Sequence, residues 1–281
     1  MTNNTAPTIT LSNGVEIPAL GLGTSPMSDR DTEKATAAAI EAGYRLIDTA
    51  ENYRNEEGVG RGIRATGINR AEVFITTKFN AQWHSVEGVR QAWTQSAKRL
   101  GVDYIDLLLI HWPNPAQDRY VEAWKGLIAL LEEGKVRAIG TSNFKPAHID
   151  RLIAETGVTP HLDQIQLNPN AVRSQERAYH AVHSIVTESW SPLGSGRGVR
   201  DMLEAKAIAG ASSRHAKTPA QVVLRWHVQQ GLIPVPKSAN PERIAQNLAV
   251  FDFELSDAEM TAISALDRGG EGVMDSDRFG H

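Results

Sequence analysis

Eight short apolar runs recur along this chain, each divided from the next by a longer stretch in which apolar residues fall at helical spacing. The runs are residues 19–21, 46–48, 73–78, 105–111, 136–142, 162–166, 185–190 and 232–234. Between them, Ala35, Ala38, Ala39 and Ala42 share one helical face, and Trp124, Leu127, Ile128 and Leu131 share another. Strand–helix alternation of this kind implies parallel strands joined by right-handed crossovers. Eight units with no linker, charge block or low-complexity tract between them favour a closed (β/α)8 TIM barrel over an open doubly wound sheet. The runs are apolar on both faces, as strands held between a barrel interior and a helical ring must be. With 281 residues, 41% of them hydrophobic, the chain can fill such a barrel as one domain, residues 1–281. Ahead of the first unit, residues 8–11 and 15–17 flank Ser12-Asn13-Gly14 and read as a hairpin closing the barrel's bottom. Asn13-Gly14 is expected to supply the positive φ angles of its turn. Residues 268–281, rich in Gly and Asp, predict an irregular tail.

Charge and composition exclude several classes of function. Twenty-nine basic and 33 acidic side chains leave a net charge of -4, with no basic excess for a nucleic-acid backbone. The absence of cysteine removes disulfides, thiolate zinc sites and cysteine nucleophiles. The first twenty residues lack the basic start and unbroken apolar core of a signal peptide. The longest apolar run, 105–110, is interrupted by Asp106 and is too short to cross a bilayer. A soluble, cytoplasmic protein without nucleic-acid or membrane partners is expected.

In a barrel of this type the C-terminal strand ends and the loops after them form the active face. The polar residues there are Asp48 with nearby Tyr53, Lys78, His111, Ser142 with Asn143, Gln164 with Gln166, and Trp190. Any one of them is equally readable as a fold-supporting core residue. Four reactive types at consecutive strand ends have a chemical reading as a set. A phenol titrates near 10, a poor match to proton donation at neutrality, and a neighbouring ammonium lowers that value. Lys78 can supply the charge and Asp48 can keep it charged. His111 can hydrogen-bond a substrate oxygen, so the set is suited to polarising a carbonyl and protonating the forming alkoxide. The hydride must then come from a nicotinamide. A strand-end lysine also permits a Schiff-base aldolase or isomerase, and a nicotinamide-binding module without catalysis, serving as a redox sensor, is a third reading.

Other signals carry less. Gly58, Gly60 and Gly62, and Gly194, Gly196 and Gly198, lack the spacing and strand–helix context of a dinucleotide fingerprint, so no Rossmann domain is expected. His180 and His183 lie three apart on a helix without an acidic pair; they read as surface histidines, and no metal is expected. Trp93 and Trp124 read as packing residues between helix and barrel.

The stretches DTAENYRNEEGVG (48–60), LGVDYIDLLLIHWP (100–113) and IPVPKSANPERIAQN (233–247) resemble the three signatures of the aldo-keto reductase family. GTSNF (140–144), DQIQLNP (163–169) and SWSPLGSG (189–196) extend the resemblance from about Ile9 to Leu266. It implies Tyr53 as general acid, Lys78 and Asp48 tuning it, and His111 orienting the carbonyl. It implies NADPH as cofactor, bound extended, and a small carbonyl compound (an aldehyde, ketone or keto-sugar) as substrate of a monomer. Ser142, Asn143 and Gln164 match the residues that grip the carboxamide, and Trp190 the ring stacked on the nicotinamide. Tryptophan there resembles the bacterial diketogluconate reductase branch. Lys237, Ser238 and Arg243 match the clamp on the 2′-phosphate, with Gln246 and Asn247 near the adenine. Gly23, Thr24 and Ser191 complete the cofactor set, and amides from Leu193 and Gly194 to Gly196 match the pyrophosphate site. Against the family pattern, Ser25 replaces a bulky aromatic, Phe79-Asn80 replaces Leu-Trp, Asp163 an asparagine and Gln246 a glutamate. The first two are expected to remodel the pocket wall, leaving Met27, Trp83 and Trp112 as apolar substrate contacts.

Overall fold

The structure, a computed structural model, describes residues 5–194 and 198–281. A hairpin of β1 (Thr8–Thr10) and β2 (Glu16–Pro18) precedes eight parallel strands. These are β3 (Leu22–Gly23), β4 (Leu46–Asp48), β5 (Phe74–Phe79), β6 (Ile105–Ile110) and β7 (Val136–Ser142), then β8 (Leu162–Gln166), β9 (Val186–Trp190) and β10 (Ile233–Pro234). Neighbours in sequence are neighbours in the sheet from β3 to β10. Around them run α1 (Asp29–Ala42), α2 (Glu56–Ala65), α3 (Val86–Leu100), α4 (Tyr120–Glu132), α5 (Pro146–Thr156) and α6 (Ser174–Val182). They are followed by α7 (Gly198–Leu203), α8 (Lys206–His215), α9 (Pro219–Gln229), α10 (Pro241–Leu248) and α11 (Asp257–Ser264). The arrangement is a (β/α)8 barrel.

The sheet closes where its first and last strands meet. Gly21 N–H donates to the Pro234 carbonyl at 3.1 Å and Gly23 N–H to that of Pro236 at 3.1 Å, with Gly23 bridged to Lys237. A side chain at Gly23 would put its Cβ 2.6 Å from the Val235 carbonyl oxygen, so this approach requires glycine. The first strand thus begins at Leu22, later than the run at 19–21, because pairing with β4 rather than hydropathy sets its bounds.

Two layers of core flank the sheet. The outer layer packs Ala35, Ala39, Trp124 and Leu127 against strand residues such as Ile47, Ile75 and Ile139. The inner one fills the barrel with Leu46, Phe74, Leu107, Leu109, Ala138, Leu162 and Ile233, sealed from below by Leu11 and Ile17 of the hairpin. Only Gly14 of that hairpin turn has a positive φ, +82°; Gly14 N–H donates to Leu11 and Leu11 N–H to Val15. The turn therefore carries an extra residue with glycine alone in the left-handed region, and Asn13 instead reaches the Arg137 carbonyl.

The glycines of α2 serve helix packing. A Cβ at Gly62 would stand 2.7 Å from that of Thr36 on α1, and α1 and α2 lie closely together. His180, expected at the surface, is buried: Thr187 of β9 lies 2.9 Å from its Nδ1 and Asp163 of β8 3.3 Å from its Nε2. It lies on the face of α6 that packs on the sheet, which three-residue spacing alone does not reveal. Among the described residues, no helix is long and apolar enough to cross a membrane, and no three His, Asp or Glu side chains are grouped to hold a metal.

Candidate active site

The inward face of the strands changes character toward their C-terminal ends. Taking every second residue, Leu46 leads to Asp48, Phe74 and Thr76 to Lys78, Leu107 and Leu109 to His111, and Leu162 to Gln164. The apolar residues fill the barrel, and Asp48, His111 and Gln164 line a cleft of about 890 Å³.

Lys78 lies behind Asp48, outside the lining and wholly buried. Its Nζ donates to Asp48 Oδ1 at 2.7 Å, Asp48 Oδ2 at 2.9 Å and the Thr49 carbonyl at 2.9 Å. Gln164 Nε2 donates to the same Asp48 Oδ1 at 2.8 Å. Burial alone would push the Lys78 ammonium down; Asp48 foremost, with Tyr53 and Glu188, together offset this and hold it above its ordinary value.

Tyr53 reaches the cleft from a single 3-10 turn, Glu51–Tyr53, just beyond β4. Its ring centre lies 5.3 Å from Lys78 Nζ and 5.8 Å from the His111 ring. The sequence predicts a phenol lowered by Lys78. That pull is present, but burial outweighs it and the net displacement is upward, so the phenol keeps its proton at neutrality. His111 is held well below the ordinary imidazole value by burial first, then by Lys78 and His281. It is neutral, and its Nδ1 is buried without a partner among the described residues, leaving Nε2 to meet a ligand. Asn55, unmarked in the sequence reading, steadies the turn. Its Nδ2 donates to the Thr24 and Met27 carbonyls at 3.0 and 3.2 Å, and its Oδ1 accepts from Thr49 at 2.8 Å. A buried amide inside the tyrosine-bearing stretch was the available signal.

Gly23, Thr24, Ser142, Asn143, Gln164, Trp190, Ser191, Leu193, Gly194 and Lys237 all line the cleft, as do Met27 and Trp112. Several are already tied to one another. Asn143, at φ +64°, donates to the His111 carbonyl at 3.1 Å and to Ser142 Oγ at 3.0 Å. Its Oδ1 accepts from the Trp190 indole at 2.8 Å, which fixes that ring at the wall. Ser238, Arg243, Gln246 and Asn247 lie beyond the lining, on the segment after Lys237 and on α10, where Asn240 caps the helix by accepting from Arg243 N–H at 3.0 Å. Gly196 and its neighbour Ser195 fall outside the described residues.

Two expectations change, and the tail adds lining residues that were not expected. Trp83 is not in the lining: its indole donates to Glu51 at 2.9 Å and buttresses the turn carrying Tyr53. Ser25 does line the cleft, but Phe79 points outward from β5 into the helix-side core, so it does not shape the wall. The tail after α11, without helix or strand, supplies Met274, Phe279 and His281 to the lining. Phe279 meets Trp112 at 4.7 Å between ring centres and His281 meets His111 at 4.8 Å. Gln166 anchors this tail, donating to the Gly272 carbonyl at 3.2 Å and accepting from Met274 N–H at 3.1 Å. Lys145 pairs with Asp275 at 2.6 Å and Asp277 at 2.5 Å. Val273, Met274 and the aromatic Phe279, apolar residues in a mostly polar tail, were its sequence signal.

Comparison with known proteins bears on this arrangement. The model of the Aldo/keto reductase family matches residues 18–268. The chain is 48% identical over 273 residues to the methylglyoxal reductase DkgA of Escherichia coli K12, covering 97% of this chain and 98% of that one. It is 48% identical to an aldo-keto reductase of Mycolicibacterium smegmatis, over 94% of each. Among solved structures, an aldo/keto reductase from Brucella melitensis superposes with a TM-score of 0.89 at 46% identity, covering 94% of this chain and all of that one. A Gox0644 mutant in complex with NADPH superposes with a TM-score of 0.91 at 42% identity, over 97% of each.

Proposed function

Because this chain belongs to the aldo/keto reductase family, we propose that it is an NADPH-dependent oxidoreductase that reduces small aldehydes and ketones to alcohols. The observation that carries the reading is the meeting of Tyr53, His111 and the Lys78–Asp48 pair around one point of the cleft. The residues present fit the cofactor. Trp190 offers a flat aromatic wall, Ser142, Asn143 and Gln164 offer amide and hydroxyl partners, and Lys237 and Arg243 are exposed cations suited to a phosphate dianion. Ser238, Gln246 and Asn247 are assigned to the same adenosine end, and Gly23, Thr24, Ser191, Leu193 and Gly194 to the walls between. When bound, the nicotinamide supplies the hydride.

The protein's part is to hold the carbonyl and move one proton. Neutral His111 donates from Nε2 to the carbonyl oxygen. The Tyr53 hydroxyl gives its proton to that oxygen as charge develops there, and Lys78 stabilises the phenolate left behind. Asp48 keeps Lys78 charged. An ammonium so engaged is no free amine, so a Schiff-base route gains no support. Trp112, Phe279 and His281 close the substrate side, which favours short carbonyl compounds such as the oxoaldehyde in the name of the Escherichia coli relative. We read the protein as a cytoplasmic monomer of one domain, 1–281, with residues 268–281 as its tail and no nucleic-acid partner.

Replacing Tyr53 by Phe removes only the acidic proton. NADPH consumption with methylglyoxal should fall by about 10²–10⁴-fold while NADPH still quenches tryptophan fluorescence with the parent's affinity. A Tyr53→Phe enzyme that turns over like the parent refutes the reading.

A further inference from the structure

The barrel interior holds one more ionisable side chain, which the proposed chemistry leaves idle. Glu188 stands on β9, in register with Gln164 of β8 and Ile233 of β10. It is fully buried, and neither carboxyl oxygen has a hydrogen-bond partner among the described residues. It lies on the inward face, one step below Trp190 and level with the Gln164 that donates to Asp48 at 2.8 Å. A carboxylate without hydrogen bonds in such a place is strongly disfavoured, so the group keeps its proton. Burial first, and the charge of Asp48 second, push its pKa up to about 8, against the pull of Lys78 and the Gln164 amide.

The charged and titratable groups that face it are Asp48 from β4, Lys78 from β5 and the Tyr53 phenol beyond β4. On its flanks β8 offers the Gln164 amide and β10 only Ile233 and Pro234; Asp163 and His180 lie on the other side of the sheet, with Thr187. One ammonium thus faces two carboxyl groups and a phenol, and it can neutralise only one carboxylate.

We propose that Glu188 is a positioning residue for carbonyl reduction that acts through Lys78: protonated, it leaves the ammonium to Asp48 and Tyr53; ionised, it takes a share of that charge and makes the phenol a poorer acid. This rests on the reading of Tyr53 as the acid. Ionisation of Glu188 raises the pKa of both Tyr53 and Lys78, so its effect falls on the proton step and not on NADPH binding.

The test is the pH profile of kcat for methylglyoxal reduction with NADPH, from about pH 6 to about pH 10. The parent should lose kcat on the alkaline side with a midpoint near 8. Glu188→Gln, which cannot ionise, should lack that limb and fall only where the phenol itself titrates. Glu188→Asp, which keeps the charge on a shorter stem, should retain a limb with a displaced midpoint. A Glu188→Gln limb coinciding with the parent's overturns the proposal. Should the Gln variant fail to bind NADPH or to melt cooperatively, the Asp variant decides, and an undisplaced midpoint overturns it. Running Tyr53→Phe alongside separates the two failures: an inactive Tyr53→Phe with an unchanged Glu188→Gln profile rejects Glu188 alone, and an active Tyr53→Phe rejects the acid.

Discussion

Lys78 shows how tightly the residues proposed for the reaction constrain one another. Its ammonium is wholly buried and held by three acceptors, two of them the oxygens of a single carboxylate. Removing it should cost stability as well as turnover, because Asp48 would remain as a buried, unpaired charge. Lys78→Met should abolish reduction and lower unfolding free energy by about 3–5 kcal/mol in urea titration. Adding Asp48→Asn should recover much of that stability and none of the activity; if the double variant is no more stable than the single one, the pair is not what holds this site together. The group was readable in the sequence because strand periodicity puts Asp48, Lys78 and His111 at strand ends, and strand ends face the cleft. Trp83, Phe79 and His180 were not readable in the same way. Each turns on which face of its element is inward, and one residue of offset sends the side chain to a different layer.

Elements were legible to the extent that periodicity defined them. Strands β4, β7 and β8 begin and end where the apolar runs do, whereas β3 lies just beyond its run and β10 is shortened to two residues, both where pairing closes the ring. The tail was opaque because its contacts, Gln166 with Gly272 and Trp112 with Phe279, span more than 100 residues and leave no local pattern. Its work should appear in substrate handling: Phe279→Ala should raise KM for methylglyoxal while leaving NADPH affinity unchanged, and equal losses in both would contradict its place on the substrate side. Helix α11, from which the tail departs, begins with a capping box. Ser256 Oγ accepts from Glu259 N–H, and Glu259 accepts from Ser256 N–H at 2.8 Å. Burial disfavours the Glu259 carboxylate, but the Ser256 N–H, His215 and Arg214 hold its pKa at about 2. A depressed acid stabilises the fold above the ordinary carboxylate range, and that contribution is lost as pH falls through about 2. Glu259→Gln should therefore be less stable than the parent by about 1 kcal/mol or more at neutral pH. The difference should shrink as acid is added, measured by thermal melts along a pH series; a constant deficit would assign the residue a purely steric role.

At the scale of the whole molecule, the proposed cofactor and the fold depend on the same few residues. Any ligand that binds only the folded chain stabilises it, by about 2.7 kcal/mol at a hundredfold excess over its Kd. NADPH should raise the melting temperature accordingly, and by more than NADH at equal concentration if Lys237 and Arg243 meet a 2′-phosphate; equal shifts would remove them from that task. Where the gain is felt follows from how the ring is shut. Two backbone hydrogen bonds, from Gly21 and Gly23, join the ends of the sheet, whereas β5 and β6 share a register of four residue pairs. Gly23 and Thr24 on one side of that joint and Lys237 on the other all border the cleft. A dinucleotide lying across them would act as a clasp on a hoop. Breathing of the unliganded ring should then concentrate at the clasp, and the slowest amide exchange gained on loading should map to residues 21–24 and 235–238, not to the far arc of β5 to β7.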